Sequence, residues 1–302
     1  MCVPDPIRPT LAFLGPAGTF SHQAAFDCFG ASVEYVPKQT IEAVFQSLSP
    51  DVPFGIVPQE NSTYGSVIET YNLLRDPTIG QNNFIRGYTV LAIRHCLVVR
   101  QGVKLENIDH VLSHEQALGQ CRSFLARLLP GATLVPTDST ASAAEDISNG
   151  KTAFDPYRCA AICSSIVTTV FEGLEVLQQN IQDGEANSTR FFMVSHGSDT
   201  TIPTSQIFPV RREALLRIST FPESHGTSES ERPNFAKFIR ALDLDILRID
   251  RRPALHALTF WDVYFIEVGD IKDGNTPWSD KLSQALRRAT YPSIEVTLLG
   301  KW

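Results

Sequence analysis

Leu11-Ala12-Phe13-Leu14-Gly15-Pro16-Ala17-Gly18-Thr19-Phe20-Ser21 joins a short apolar run to a Gly-Pro-Ala-Gly turn and then to a helical pattern that ends near Gly30. A strand turned tightly into a helix is the building unit of parallel sheets wrapped by helices. The rhythm continues downstream. Val33 to Val36 reads as a second strand, and Ile41, Val44, Phe45 and Leu48 repeat at i, i+3, i+4, i+7 behind Thr40, which predicts an amphipathic helix with Thr40 as its N-cap. Phe54 to Val57 supplies a third strand, and Ser66 with Glu69 makes a capping-box pattern for a helix through Leu74.

A second set of units follows. Tyr88 to Val99 reads as one strand and Ile108 to Leu112 as another, followed by one helix from about Glu115 that aligns Leu118, Cys121, Leu125 and Leu128 before Pro130-Gly131. Ser113 is placed to cap it. Ala132 to Val135 then leads to a helix over Ala141 to Ser148, with Gly150 just past its end. Two similar α/β lobes are expected, of the kind that enclose a ligand cleft and close over it by hinge motion. Residues 197–212 are polar, with two prolines, and read as a linker. Beyond them the order is strand, helix, strand, strand, helix, strand, a ferredoxin-like βαββαβ unit, with a Ser/Glu-rich loop from Glu223 to Arg232.

The chain has 302 residues, 43% hydrophobic, with 26 Lys+Arg against 33 Asp+Glu, a net charge of −7. That composition suits a globular protein of about two domains. No apolar run approaches the roughly 20 residues of a membrane span, and no leader pattern stands at the start, so a cytoplasmic protein is expected. The six cysteines are sparse for a disulfide framework. Cys159 and Cys163 have no His or second Cys pair near them to complete a metal set, so they are read as small buried residues and no metal is expected. Without a basic run, nucleic acid is a poor partner. Trp261, Tyr264 and Phe265 are read as sheet core rather than an aromatic platform.

Four segments could carry chemistry. Gly15 to Thr19 is either an anion site of backbone N–H groups or a tight structural turn. Pro58-Gln59-Glu60-Asn61-Ser62-Thr63-Tyr64-Gly65-Ser66 clusters polar groups beyond a strand end, where open α/β sheets bind ligands, and a solvated loop is the alternative. In Ser113-His114-Glu115-Gln116 a hydroxyl, an imidazole and an acid are adjacent, but neighbours in sequence rarely converge as a triad. Thr189-Arg190 could offer a hydroxyl and a cation to an anion, or Arg190 could form a structural salt bridge.

Together these segments resemble the prephenate dehydratase family, a catalytic domain followed by an ACT regulatory domain. Leu14 to Phe20, Gly55 to Gly65, Ser113 to Cys121, Ser139 to Glu145 and Asn187 to Phe191 agree with it in order. The resemblance implies a two-lobed, periplasmic-binding-protein-like catalytic domain over 7–196, with lobe 1 at about 7–85 and 180–196 and lobe 2 at about 86–179. A ferredoxin-like ACT domain over 213–302 would follow the 197–212 linker. The implied reaction converts prephenate to phenylpyruvate, CO2 and water, in phenylalanine biosynthesis, without cofactor. By the same resemblance Thr189 is the principal catalytic residue, donating to the departing hydroxyl, with Glu60 and Asn61 beside it. Ser113, Gln120, Ser62, Thr19, Arg190 and Phe191 carry over as substrate-binding residues. Glu145 falls at a family acidic position, although Ser142 to Glu145 also fits a capping box.

In the last domain Asp250-Arg251-Arg252-Pro253 stands where the family has Glu-Ser-Arg-Pro, and Pro233-Asn234-Phe235 where it has a Gly-Ala-Leu-type loop. Asp250, Arg252, Pro253 and Asn234 are thus the candidate regulatory residues, with L-phenylalanine the implied effector and a homodimer or homotetramer through ACT domains the implied assembly. Bulkier residues in that loop would crowd an amino-acid pocket. An arogenate dehydratase and a catalytically silent two-lobed sensor are the competing readings. Since prephenate is a dianion and the chain carries −7, the cleft is expected to be locally positive or rich in N–H donors, and one lined mainly by carboxylates would contradict the reading.

Overall fold

The computed structural model describes residues 8–184, 186–203, 211–220, 235–255, 262–270, 276–291 and 293–302. The chain runs through β1 (Thr10–Leu14), α1 (Phe20–Phe29), β2 (Glu34–Lys38), α2 (Ile41–Ser47), β3 (Phe54–Asn61), β4 (Gly65–Ser66), α3 (Ile68–Leu73) and β5 (Asn83–Ala92). There follow β6 (Cys96–Arg100), β7 (His110–Ser113), α4 (Glu115–Gln120), α5 (Arg122–Leu128), β8 (Thr133–Pro136), α6 (Thr140–Asn149), β9 (Cys159–Cys163), α7 (Val167–Val170), β10 (Leu174–Gln179) and β11 (Ser188–His196). The last part holds β12 (Glu213–Thr220), α8 (Phe235–Leu242), β13 (Asp245–Pro253), β14 (Asp262–Gly269), α9 (Trp278–Arg288) and β15 (Ile294–Lys301).

Three sheets result, a mixed α/β fold. The first has the order β2-β1-β3-β11-β5, with β4 folded back on β3, and its β1 pairs in parallel with both β2 and β3. The second, β10-β6-β9-β7-β8, is parallel on one side of β9 and antiparallel on the other. Its two faces are both apolar: Leu97, Val99 and Ile162 pack under α4 and α5, whereas Val98, Ala161 and Cys163 pack under α6 and α7. Period-two alternation along each strand makes that division, because successive side chains leave opposite faces. Cys159 and Cys163 lie fully buried in β9, as core residues. The third sheet, β13-β14-β12-β15, is antiparallel, and α8 and α9 cover one face through Phe238, Leu242 and Leu282. Tyr264 and Phe265 are part of that sheet's packing, as expected, while Trp261 lies outside the described residues.

The chain divides into two compact units. One comprises 1–67, 88–192 and 202–206, and the other comprises 68–87, 193–201 and 207–302. The second recruits α3 for a physical reason. Tyr71, 1% exposed, packs its ring 5.5 Å from that of Phe265, and the buried Arg217 guanidinium donates to the carbonyls of Leu74 at 3.1 Å and Asp76 at 2.6 Å.

Several local expectations are corrected. The strand expected over 88–99 is two strands, because the chain leaves the first sheet where the Ile93 N–H donates to Asn187 O. The helix expected through Leu128 is broken at Cys121. There the Asp183 carboxylate accepts from the Ser123 N–H at 3.0 and 3.1 Å, capping a fresh start, and the Asp183 N–H donates to Gln120 O. Ser66 belongs to β4, paired with Glu60, rather than to a helix cap. His114, not Ser113, caps α4 through its Nδ1. At α6 the capping box is Ser139 with Ser142, one turn before the pair expected, which leaves Glu145 as a mid-helix residue.

One backbone contact in β15 admits only glycine, at Gly300. A Cβ there would stand 1.8 Å from the Ile85 carbonyl oxygen, so β15 approaches the backbone of residue 85 as only glycine allows. Gly300→Ala is expected to lose about 1–3 kcal/mol or more of stability, read as a lowered midpoint in thermal or urea unfolding.

Candidate active site

Within the first unit a cavity of about 340 Å³ is lined by Phe20, Asn61, Tyr64, Ile93, His95, His114, Gln116, Ala117, Gln120, Asp138, Ser139, Thr140, Asn187 and Thr189. Its organising group is the Asn61 amide at the end of β3. Nδ2 donates to Asn187 Oδ1 at 2.7 Å and to Thr189 Oγ1 at 2.9 Å, while Oδ1 accepts from the N–H groups of Thr63 at 2.9 Å and Tyr64 at 3.1 Å. Two backbone donors fix which end of the amide is oxygen. Because the Thr189 oxygen accepts from Asn61, its own proton is left to donate toward the cavity.

Across the cavity His95 Nε2 lies 2.8 Å from Gln120 Oε1, and Gln120 Nε2 donates to the Tyr64 hydroxyl at 3.3 Å. His95 is 3% exposed, and burial pushes its imidazole pKa down, which favours the neutral ring; the Gln120 bond opposes this more weakly.

The other sequence-derived residues go elsewhere. Glu60 and Arg190 are each one residue from Asn61 and Thr189, so the pleat turns them to the opposite face, where Arg190 Nε is 3.5 Å from Glu60 Oε1 and its guanidinium lies 4.4 Å from the Tyr88 ring centre. Arg190 makes a structural pair, and its cation does not line the cavity. Ser113 is fully buried, its hydroxyl donating to Ile162 O at 2.5 Å, which ties β7 to β9. Ser62 clips β3 to β11: its N–H donates to Ser188 O and its Oγ accepts from Ser188 N. Thr19 caps α1 by accepting from the His22 N–H, and Phe191 is core. The Gly15 to Thr19 segment is a structural turn in which the N–H groups of Gly15, Gly18 and Thr19 are spent internally, on Lys38 O, His22 Nδ1 and Pro16 O. Of the residues singled out for the site, the cavity therefore gathers Asn61, Gln120 and Thr189. It adds His95, Tyr64, Asn187, Ser139 and Thr140. His95 carried no sequence signal, since it sat inside what read as one uninterrupted strand.

Asp138 is the carboxylate among the lining residues, and no Lys or Arg is among them. Of the two alternatives expected, local positive charge or N–H donors, the described lining offers the amides of Asn61, Gln116, Gln120 and Asn187. Phe20 and Thr140, the first residues of α1 and α6, are among the lining residues, so both helices begin at the cavity wall.

In the third sheet, Asp250 pairs with Arg248, and the Pro253 carbonyl accepts from Arg75 Nη1 at 2.8 Å. Arg252 lies near enough to Arg75 to lower that guanidinium's pKa, a smaller effect than burial. Asn234 lies outside the described residues, as does the loop from Glu223 to Arg232.

The family model described as Prephenate dehydratase matches residues 11–199. A bifunctional chorismate mutase/prephenate dehydratase of Aquifex aeolicus is 30% identical, over 97% of this chain and 73% of its own. A prephenate dehydratase of Mycolicibacterium vanbaalenii is 29% identical, over 97% and 91%. Several other curated relatives, an arogenate dehydratase of Petunia hybrida and an arogenate dehydratase/prephenate dehydratase of Arabidopsis thaliana among them, are spanned to only about half their length. Among solved structures, prephenate dehydratase from Arthrobacter aurescens in complex with L-Phe gives a TM-score of 0.71 at 26% identity, covering 96% of this chain and 89% of its own.

Asn61→Asp keeps the acceptors for Thr63 and Tyr64 but turns both Nδ2 donors into acceptors facing Asn187 Oδ1 and Thr189 Oγ1. It is expected to fold with about 1–3 kcal/mol less stability, measured by urea unfolding.

Proposed function

The chain belongs to the prephenate dehydratase family, and we propose that it acts as a carbon–oxygen lyase, turning prephenate into phenylpyruvate, CO2 and water in phenylalanine biosynthesis. The observation that carries the reading is the Thr189 hydroxyl held by Asn61 with its proton free for the cavity. As the ring carboxylate leaves as CO2, its electron pair passes into the ring and expels the hydroxyl at the far carbon. The ring becomes aromatic, so the driving force is already in the substrate. The protein has to orient the ring and donate to the departing hydroxide, which takes up a proton to leave as water.

Thr189 serves as that donor, with its proton replenished from water, and the Asn61 N–H stabilises negative charge building on Oγ1. Gln120, Gln116 and the N-terminal ends of α1 and α6 supply neutral donors for the carboxylates, which explains how an acidic chain can hold a dianion without a lysine or arginine in the described lining. Phe20 and Ile93 give the ring an apolar wall. In this reading 7–196 form a two-lobed, periplasmic-binding-protein-like catalytic domain. Residues 213–302 form a ferredoxin-like ACT domain through which L-phenylalanine acts as effector and copies of the chain associate, and the protein works in the cytoplasm. The βαββαβ order and the L-Phe complex of the Arthrobacter protein support that part.

Purified protein is given prephenate and, separately, arogenate, following phenylpyruvate and phenylalanine. Phenylpyruvate from prephenate is expected. Product from arogenate alone would make the chain an arogenate dehydratase, and none from either would leave a silent sensor. Thr189→Ala is expected to fold and to lose at least about 100-fold in kcat, and near-wild-type turnover would remove Thr189 from the chemistry.

A further inference from the structure

We propose that His95, Gln120 and Tyr64 form a directed hydrogen-bond relay in which His95 is a positioning residue that aims the Gln120 amide, and Tyr64 is the hydroxyl donor that the relay presents to a substrate carboxylate. The relay stands on geometry, and its use on substrate rests on the dehydratase reading. The Gln120 amide could face His95 with either end. With nitrogen toward the ring, His95 would accept at Nε2 and carry its proton on Nδ1, a buried atom without a hydrogen-bond partner. An orphaned buried N–H is rarer and costlier than a bare acceptor nitrogen. The proton therefore sits on Nε2 and donates to Gln120 Oε1 at 2.8 Å.

That contact turns the amide nitrogen to the Tyr64 oxygen at 3.3 Å. Tyr64 accepts there and keeps its own proton for the cavity. The residue is itself held, since the His95 backbone N–H donates to Gln182 Oε1 at 2.9 Å, and the Phe20 ring meets the imidazole edge-on at 5.4 Å. Tyr64 is 61% exposed, which puts the terminal donor at the rim, where an entering dianion meets it first.

The test combines steady-state kinetics on prephenate with nitrogen–proton NMR of histidine-labelled protein, using His95→Phe, His95→Gln, Gln120→Leu, Tyr64→Phe and the His95→Phe/Gln120→Leu double variant. His95→Phe keeps the packing on Phe20 and is expected to lower kcat/KM about 10- to 100-fold, with most of that recovered in His95→Gln, which restores a donor. Added to Gln120→Leu, it should cost almost nothing more. Tyr64→Phe, at an exposed position that cannot disturb the core, is expected to lose roughly tenfold in kcat/KM through KM. The His95 ring should show the neutral Nε2–H form, with that proton signal altered in Gln120→Leu. A proton on Nδ1, multiplying effects of the two single variants, or wild-type kinetics in Tyr64→Phe would overturn the relay. If the wild-type protein turns over neither prephenate nor arogenate, the functional reading fails, and the tautomer still decides the relay.

Discussion

The site depends on one amide. Asn61 sits where β3 ends and the chain turns back through β4; two of its four hydrogen bonds close that turn and two join it to the start of β11. Each bond alone is worth about 1 kcal/mol net. Their value lies in being simultaneous: the oxygen fixes the amide's orientation, and the nitrogen then has one direction left, toward Asn187 and Thr189. A hydroxyl so held can only accept from Asn61 and donate elsewhere.

The same pleat separates chemistry from support. Glu60 and Arg190 flank Asn61 and Thr189 in sequence and meet on the reverse face, where an ion pair and the Tyr88 ring stiffen the β3–β11 junction. Ser62 and Ser188 add two further ties at its end. A motif that reads as one polar cluster is in this way a cavity-lining edge with a structural backing.

Among the described lining residues of the cavity there is no Lys or Arg. The bulk charge of −7 is screened within about 8 Å at physiological salt, so the first contacts decide binding. For a bound dianion these would be neutral amides such as those of Gln116 and Gln120, dipoles fixed by the fold that need no ionisable group to keep its charge. Burial favours the neutral form of His95 in the same setting.

What was legible in the sequence was whatever depends on short range. The strand-turn-helix rhythm, the Thr40 cap, the Gly150 helix end and the change of pattern after residue 212 follow from local periodicity and capping, and the five ordered motifs sufficed to identify the family. Asn61, Gln120 and Thr189 stood out as polar side chains at strand and helix ends. Tertiary structure decided the rest. Which side of a strand faces the cavity, whether Ser113 meets ligand or the Ile162 carbonyl, and that Asp183 restarts a helix at Arg122 depend on partners far away in sequence. His95 shows the limit most clearly: a lone histidine in an apolar strand pattern acquires a role only when Gln120, 25 residues further on, is brought to its Nε2.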